Sequence, residues 1–226
     1  MLTFKIYSKK YLSIFIIVSL TTLIFPFPKY YFENKTTNSR YNKNSINDSI
    51  IVDSRYTLTE ALSNIFIPQS VKNNLSIVDV YYYSFDKKLH KGQIVINKNL
   101  VHEVKNIFDE IRKAKFPIQK AIPVVYYKWS DNASMNDNNT SGFNYRFVKG
   151  TKYLSSHSKG IAIDINPKLN PQIKGGKTIP PGATYDPKKP GTVTKNSIVV
   201  KIFRKYGWQW GGEWTSTIDY QHFQKK

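Results

Sequence analysis

The chain has no cysteine among its 226 residues. Disulfides and thiolate metal sites are therefore excluded, as are a cysteine nucleophile and a lipid-modified N-terminal cysteine. Any metal must be held by His, Asp or Glu, and histidine is scarce: there are 4, namely His90, His102, His157 and His222. Acidic residues are also in short supply. Against 34 Lys and Arg there are 15 Asp and Glu, a formal net charge of +19. Such an excess points to an anionic partner, either nucleic acid or an anionic wall polymer or membrane surface. The lysines are spread along the whole chain, and no basic run adjoins a recognised nucleic-acid motif. The wall or membrane surface is therefore favoured over nucleic acid, and no protein partner is predicted.

What remains is a globular composition, 40% hydrophobic and 22% charged, long enough for one domain with a proper core. The N-terminus carries Lys5, Lys9 and Lys10 before an apolar run from Tyr11 to Phe27. This is the layout of a membrane anchor or signal peptide over residues 1–28. Pro26, Phe27 and Pro28 stand where a small-residue cleavage site would be, so an uncleaved anchor is preferred. The lysines would stay in the cytoplasm and the remainder would lie outside it, in the cell envelope, or be secreted if the segment is cleaved. Residues 29–55 are rich in Asn, Ser, Lys and Thr and read as a polar linker. The folded domain is expected over 56–226.

Within that domain the pattern predicts a short helix in 57–66, a strand at SIVDVYYYSF and a second at QIVIN, joined as a hairpin across DKKLHKG. Leu100, Val101, Val104, Ile107, Phe108 and Ile111 share one face of a helix that Pro117 ends. AIPVVYYKW, FNYRFV and GIAIDI read as strands, 167–191 as a Gly/Pro/Lys-rich insertion, NSIVVKIFRKYG as a helix, and the C-terminus as a last short strand. Hairpin-joined strands with helices set apart indicate α+β, with a central, mainly antiparallel sheet flanked by helices.

His102 and Glu103 resemble the start of HExxH, but Asn106 stands where the second histidine belongs. They are read as solvated surface, and His90 as an exposed turn residue. Two stretches remain. In SSHSKGIAIDINP, Ile161, Ile163 and Ile165 face a core while Ala162 and Asp164 face the other way. A turn at Ser158-Lys159-Gly160 would bring His157 back over Asp164. Taken alone, this stretch fits a structural His–Asp pair or a metal site equally well. In WGGEWTSTIDYQHFQ, His222 and Gln224 share a strand face and Asp219 precedes His222 by three residues. Two His and one Asp suffice as the protein ligands of a catalytic zinc, with a nearby carboxylate as general base.

The two motifs, Ser155-x-His157-x-x-Gly160-x-Ala162-x-Asp164 and Trp210-Gly211-Gly212-Glu213-Trp214 followed by Asp219-x-x-His222-Phe223, resemble those of the zinc D-alanyl-D-alanine carboxypeptidase and L-alanyl-D-glutamate endopeptidase family of bacterial cell-wall peptidases. That family includes vancomycin-resistance D,D-peptidases and phage endolysins and shares its fold with the hedgehog signalling domain. The resemblance runs from about Ser76 to Gln224 and is weaker before Phe143. It implies a hedgehog/D,D-peptidase-like domain binding one zinc ion through His157, Asp164 and His222. It also implies Asp219 as general base and matches Arg146 to the family's arginine upstream of the first ligand. Ser155 is expected to support His157, Glu213 to order its loop or contact substrate, and Trp208, Trp210 and Trp214 to wall the cleft or fill the core. The implied function is a zinc metallopeptidase hydrolysing peptidoglycan stem peptides, as an L-Ala–D-Glu endopeptidase or a D-Ala–D-Ala carboxypeptidase, the Trp210–Trp214 and Asp219–Phe223 ending resembling the endopeptidase branch slightly more. The alternative is a non-catalytic zinc-binding or basic cell-surface binding module.

Overall fold

The computed structural model describes residues 50–226. The expected anchor, and most of the expected linker, lie outside the described residues. Among those described, no helix is long and apolar enough to cross a membrane.

The first strand, β1 (Ile51–Val52), falls inside the stretch read as linker. It pairs in parallel with His90 and Lys91, so the sheet begins upstream of the expected domain boundary. Thr57 and Glu60 form a reciprocal capping box that starts α1 (Leu58–Ala61). A second short helix, α2 (Gln69–Lys72), follows Pro68. Next come β2 (Leu75–Tyr83) and β3 (Leu89–Asn97), the expected hairpin, in register from Leu75↔Asn97 to Tyr83↔Leu89. Val78, Val80, Tyr82, Ile94 and Ile96 are buried on one face of it, as period-2 alternation requires. The turn is tighter than expected, closed by Ser84 and Lys88. His90 therefore lies in β3 opposite Tyr82, buried rather than exposed.

On this hairpin packs α3 (Val101–Lys113), with Val104, Ile107, Phe108 and Ile111 buried. Burial of each such side chain is worth roughly 1.5–3 kcal/mol. His102 is exposed as expected, but Glu103 is not idle surface. It accepts hydrogen bonds from Trp208 Nε1 and from Lys225 Nζ, tying the end of the chain to α3.

AIPVVYYKW is not a strand beyond β4 (Lys120–Ala121). Pro123 opens a 3-10 turn over Val124–Tyr127, and Lys128 and Trp129 take left-handed backbone angles that no strand tolerates. After α4 (Asp131–Asn136), β5 (Asn139–Thr140) pairs in parallel with β4. FNYRFV is irregular apart from a bridge between Phe147 and Leu154, because its backbone groups turn to Val95, His157 and Ser158 instead. The remaining elements are β6 (Ala162–Asp164), β7 (Gln172–Lys174), β8 (Lys177–Ile179), α5 (Ile198–Lys205), β9 (Gln209–Trp210), β10 (Ile218–Asp219) and β11 (His222–Gln224).

The class is α+β, but one central sheet is replaced by several small ones: β1-β3-β2, β6-β11-β9, β10-β7-β8 and the pair β4-β5. The C-terminal strands are two or three residues long, broken by glycine and by 3-10 turns, too short to extend the β2–β3 ladder. One apolar core joins both halves. It includes Ile94, Ile96, Phe108, Ile163, Ile165, Phe203, Trp208, Trp210 and Phe223. Ile163 and Phe223 face it from β6 and β11, and Phe223 stacks on Phe203 of α5 at 4.0 Å. The opposite faces of these two strands carry Asp164 and His222.

Candidate metal centre and its cleft

In the antiparallel pair β6–β11, His222 lies directly opposite Asp164. Direct partners send their side chains to the same face, and His222 Nδ1 lies 3.0 Å from Asp164 Oδ1. His157 reaches the same spot from a 3-10 turn, Ser156–Lys159, capped by the Ser155 hydroxyl accepting from the His157 backbone N–H. Gly160 ends this turn at φ +65°, a left-handed conformation, and a Cβ there would lie 2.7 Å from Asn97 N. Both the angle and the space call for glycine. The turn swings His157 over Asp164, with Nε2 at 3.2 Å from Asp164 Oδ1 and 3.2 Å from His222 Nδ1.

The outer nitrogens decide what the inner ones can do. His157 Nδ1 faces the Gly142 carbonyl at 2.5 Å, an acceptor only, so Nδ1 carries the proton and donates. His222 Nε2 faces the Gln224 side-chain amide at 3.1 Å and Ser156 Oγ at 3.3 Å, partners that can take its proton and leave Nδ1 a lone pair. In neutral rings the inner nitrogens are then both lone pairs, aimed with a carboxylate oxygen at one point. Three acceptors so close repel unless a cation or a proton sits among them. Asp164 shows this demand for positive charge. Without a metal that positive charge is a proton on a ring: burial alone would raise Asp164, but His157, by charge and by hydrogen bond, and then His222 hold it well below the usual carboxylate range. His222 shows it too: burial opposes its charged form, yet the bond to Asp164 and the Asp164 and Asp219 charges raise it.

The donor set fits zinc. Ligand atoms around a tetrahedral ion with bonds of about 2.0–2.1 Å are spaced roughly 3.3 Å apart, and these three lie 3.0 to 3.2 Å apart. His157, Asp164 and His222 are all buried and could hold a metal ion.

The cluster opens on a cleft of about 570 Å³, lined also by Arg146, Ser155, Gln172, Trp214, Asp219 and Gln224. Asp219 is buried; its Oδ2 accepts from Gln172 Nε2 at 2.6 Å, and its Oδ1 has no hydrogen-bond partner. Burial pushes its carboxyl up to about 6, with the Asp164 charge adding to the rise and His222 opposing it. Gly211 makes room for this arrangement. A Cβ there would come within 3.0 Å of Asp219 Cβ and 3.3 Å of His222 Cβ. Arg146 Nε lies 3.1 Å from Asp131 Oδ2, an ion pair whose angle makes no well-formed hydrogen bond. Ser158 Oγ accepts from the Arg146 N–H and donates to the backbone before the turn, tying Arg146 to the His157 turn. Trp214 lies against His222 with ring centroids 5.3 Å apart.

Glu213 is the candidate that stands apart. Its carboxylate pairs with Arg204 of α5 and with Lys195, on a pocket beside Tyr185 and Tyr220 rather than on the metal cleft. Trp208 and Trp210 are core residues. Two supporting groups have no sequence signal. The Gly142 carbonyl behind His157 is a backbone group, and Gln172, on the cleft, lies in the stretch read as an insertion. Gln224 was legible only as a residue sharing a face with His222.

No curated protein and no solved structure matches the chain. Arg146 lies just upstream of the segment that a family model matches. That segment, residues 149–225, carries both motifs and the three convergent candidate ligands; the model is described as D-alanyl-D-alanine carboxypeptidase, the group of peptidases that the motifs resemble.

Proposed function

We propose that the chain is a zinc-dependent peptidase of peptidoglycan stem peptides. In this reading its hedgehog/D,D-peptidase-like domain acts outside the cytoplasmic membrane, behind the N-terminal anchor. The observation that carries it is the wiring of the two histidines. His157 gives its outer nitrogen to the Gly142 backbone carbonyl, His222 sets its own against the Gln224 amide, and both turn their inner nitrogens to a point shared with Asp164. A purely structural His–Asp pair has no use for two nitrogens so aimed.

When bound, zinc supplies Lewis-acid polarisation of a water and of the scissile carbonyl. The chain's own residues do the rest. Asp219 takes the proton of the attacking water at its unpartnered oxygen and passes it to the leaving amine. Its burial beside the cluster, with that oxygen lacking a hydrogen-bond partner, suits that task. Arg146, about a third exposed and facing the cleft, stabilises the developing oxyanion or orients a substrate carboxylate. Ser155 holds the His157 turn, and Trp214 walls the cleft beside His222. Lys149 and Lys174 line the same cleft, a cationic setting for an acidic peptide. The family description favours removal of a terminal D-Ala over cleavage of an internal L-Ala–D-Glu bond.

The test is digestion of purified peptidoglycan by the zinc-loaded protein, with products read by mass spectrometry. Free D-Ala is expected. New N-terminal D-Glu means the endopeptidase reaction. A protein that holds one zinc and releases neither product is a binding module, and a protein that takes up no metal overturns the reading altogether.

A further inference from the structure

The stretch 167–191 belongs to neither motif, yet β7 inside it reaches the cleft. Gln172 of β7 and Asp219 of β10 are direct partners across their antiparallel ladder, so their side chains leave on one face. On its other edge β7 pairs with β8, Gln172 opposite Ile179, which holds the strand from both sides. Gln172 Nε2 donates to Asp219 Oδ2 at 2.6 Å, while the buried Oδ1 is left without a partner. A buried carboxylate ordinarily accepts at both oxygens. Here one is committed and one is kept free. An amide suits the first job, because it donates a hydrogen bond without bringing a charge that would pair Asp219 off as an ion pair.

We propose that Gln172 is a positioning residue for Asp219: by engaging Oδ2 it fixes the carboxylate's orientation and reserves Oδ1 for the proton of the attacking water. This rests on the reading of Asp219 as general base. The proton moves from water to Oδ1 and then to the leaving amine, and Gln172 neither gains nor loses one. The 167–191 stretch is thereby part of the catalytic apparatus rather than a surface insertion.

The experiment uses the full zinc-loaded chain and a synthetic stem pentapeptide containing both candidate bonds. Gln172→Met keeps length and volume but removes the donor. It should lower kcat by about 10- to 100-fold, with KM within about twofold and zinc content unchanged. Added to Asp219→Asn, the same change should cost nothing more, because both then act through one group. Gln172→Glu sets a second carboxylate against the first and should lower kcat at least as much, which guards against a Met variant that folds poorly. Wild-type kcat in either Gln172 variant, or a further loss of about tenfold on top of Asp219→Asn, overturns the proposal. The two levels separate cleanly. An active Asp219→Asn removes the base and this inference with it, whereas an inactive Asp219→Asn beside an active Gln172→Met removes only the role of Gln172.

Discussion

The described residues hold two clusters of histidine and aspartate, and they are wired in opposite ways. His90 spends both ring nitrogens on carboxylates: Nδ1 faces Asp53 at 3.1 Å and Nε2 faces Asp86 at 3.2 Å. The two acids sit at opposite ends of one ring, with no shared point between them. Asp53 is further tied to Tyr82 Oη, whose oxygen accepts from the Ala121 N–H. This cluster knots the segment after β1 to β3, the hairpin turn and β4. His157 and His222 instead set their outer nitrogens against the Gly142 carbonyl and the Gln224 amide and turn their inner ones, with Asp164, to a single centre. The residue types are the same. What separates a structural knot from a candidate metal site is where each histidine spends its second nitrogen, and composition and spacing cannot report that.

The difference is broken most severely at the ligands. His222→Ala or His157→Ala should take zinc from one ion per chain to none, read by elemental analysis. Hydrolysis should fall by about 10³-fold or more, since metal polarisation supplies several kcal/mol. A chelator should do the same to the wild type. Metal-loaded, active His222→Ala would sink the centre.

Asp219→Asn comes next, at about 10²- to 10⁴-fold in kcat with zinc retained. The same change should stabilise the metal-free protein. Asp219 is near its ordinary value of 3.8 in the unfolded chain and is pushed up to about 6 in the fold, first by burial. Its ionised form is therefore costly to fold at pH 7, by up to about 3 kcal/mol. Because the folded value is raised, the penalty is fully present above about pH 6 and fades as pH falls towards 4. Asn carries no such penalty, so the gain in Tm, on the order of several degrees, should appear at pH 7 and vanish at pH 4. An equal gain at both pH values would show that the ionised carboxylate is not its source.

The long elements were legible because they repeat. Val78, Val80 and Tyr82 mark β2, and Val104, Ile107, Phe108 and Ile111 mark α3, each set long enough to show its period. Strands of two or three residues have no period to read. AIPVVYYKW looked like a strand by composition, and Pro123 with two left-handed residues undid it. FNYRFV forms no strand because its backbone partners are scattered, one on Val95 of β3 and the others on the His157 turn. The candidate ligands were legible because the chain has so few histidines and two of them stand in linked motifs. Gln172 was hidden by low-complexity surroundings and Gly142 by being backbone. His90 was misplaced by about two residues of turn length, enough to move it from solvent to the buried face of β3.

His90 supplies the gentlest and most selective test. It is 8% exposed, between two carboxylates, and stacks on Tyr82 with ring centroids 5.9 Å apart. His90→Ala leaves half-buried Asp53 with Tyr82 as its remaining side-chain partner and opens space beside that ring. Losing one partner of a largely buried hydrogen-bonded group costs about 1–3 kcal/mol, so Tm should fall by a few degrees for a chain of this size. His90→Asn, which can still donate to Asp53, should recover part of that loss. Zinc content and kcat should stay at wild-type values in both, because nothing in this cluster touches the cleft. If His90→Ala emptied the zinc site while leaving the fold intact, the two clusters would be coupled, and the separation between knot and centre drawn from their wiring would be wrong.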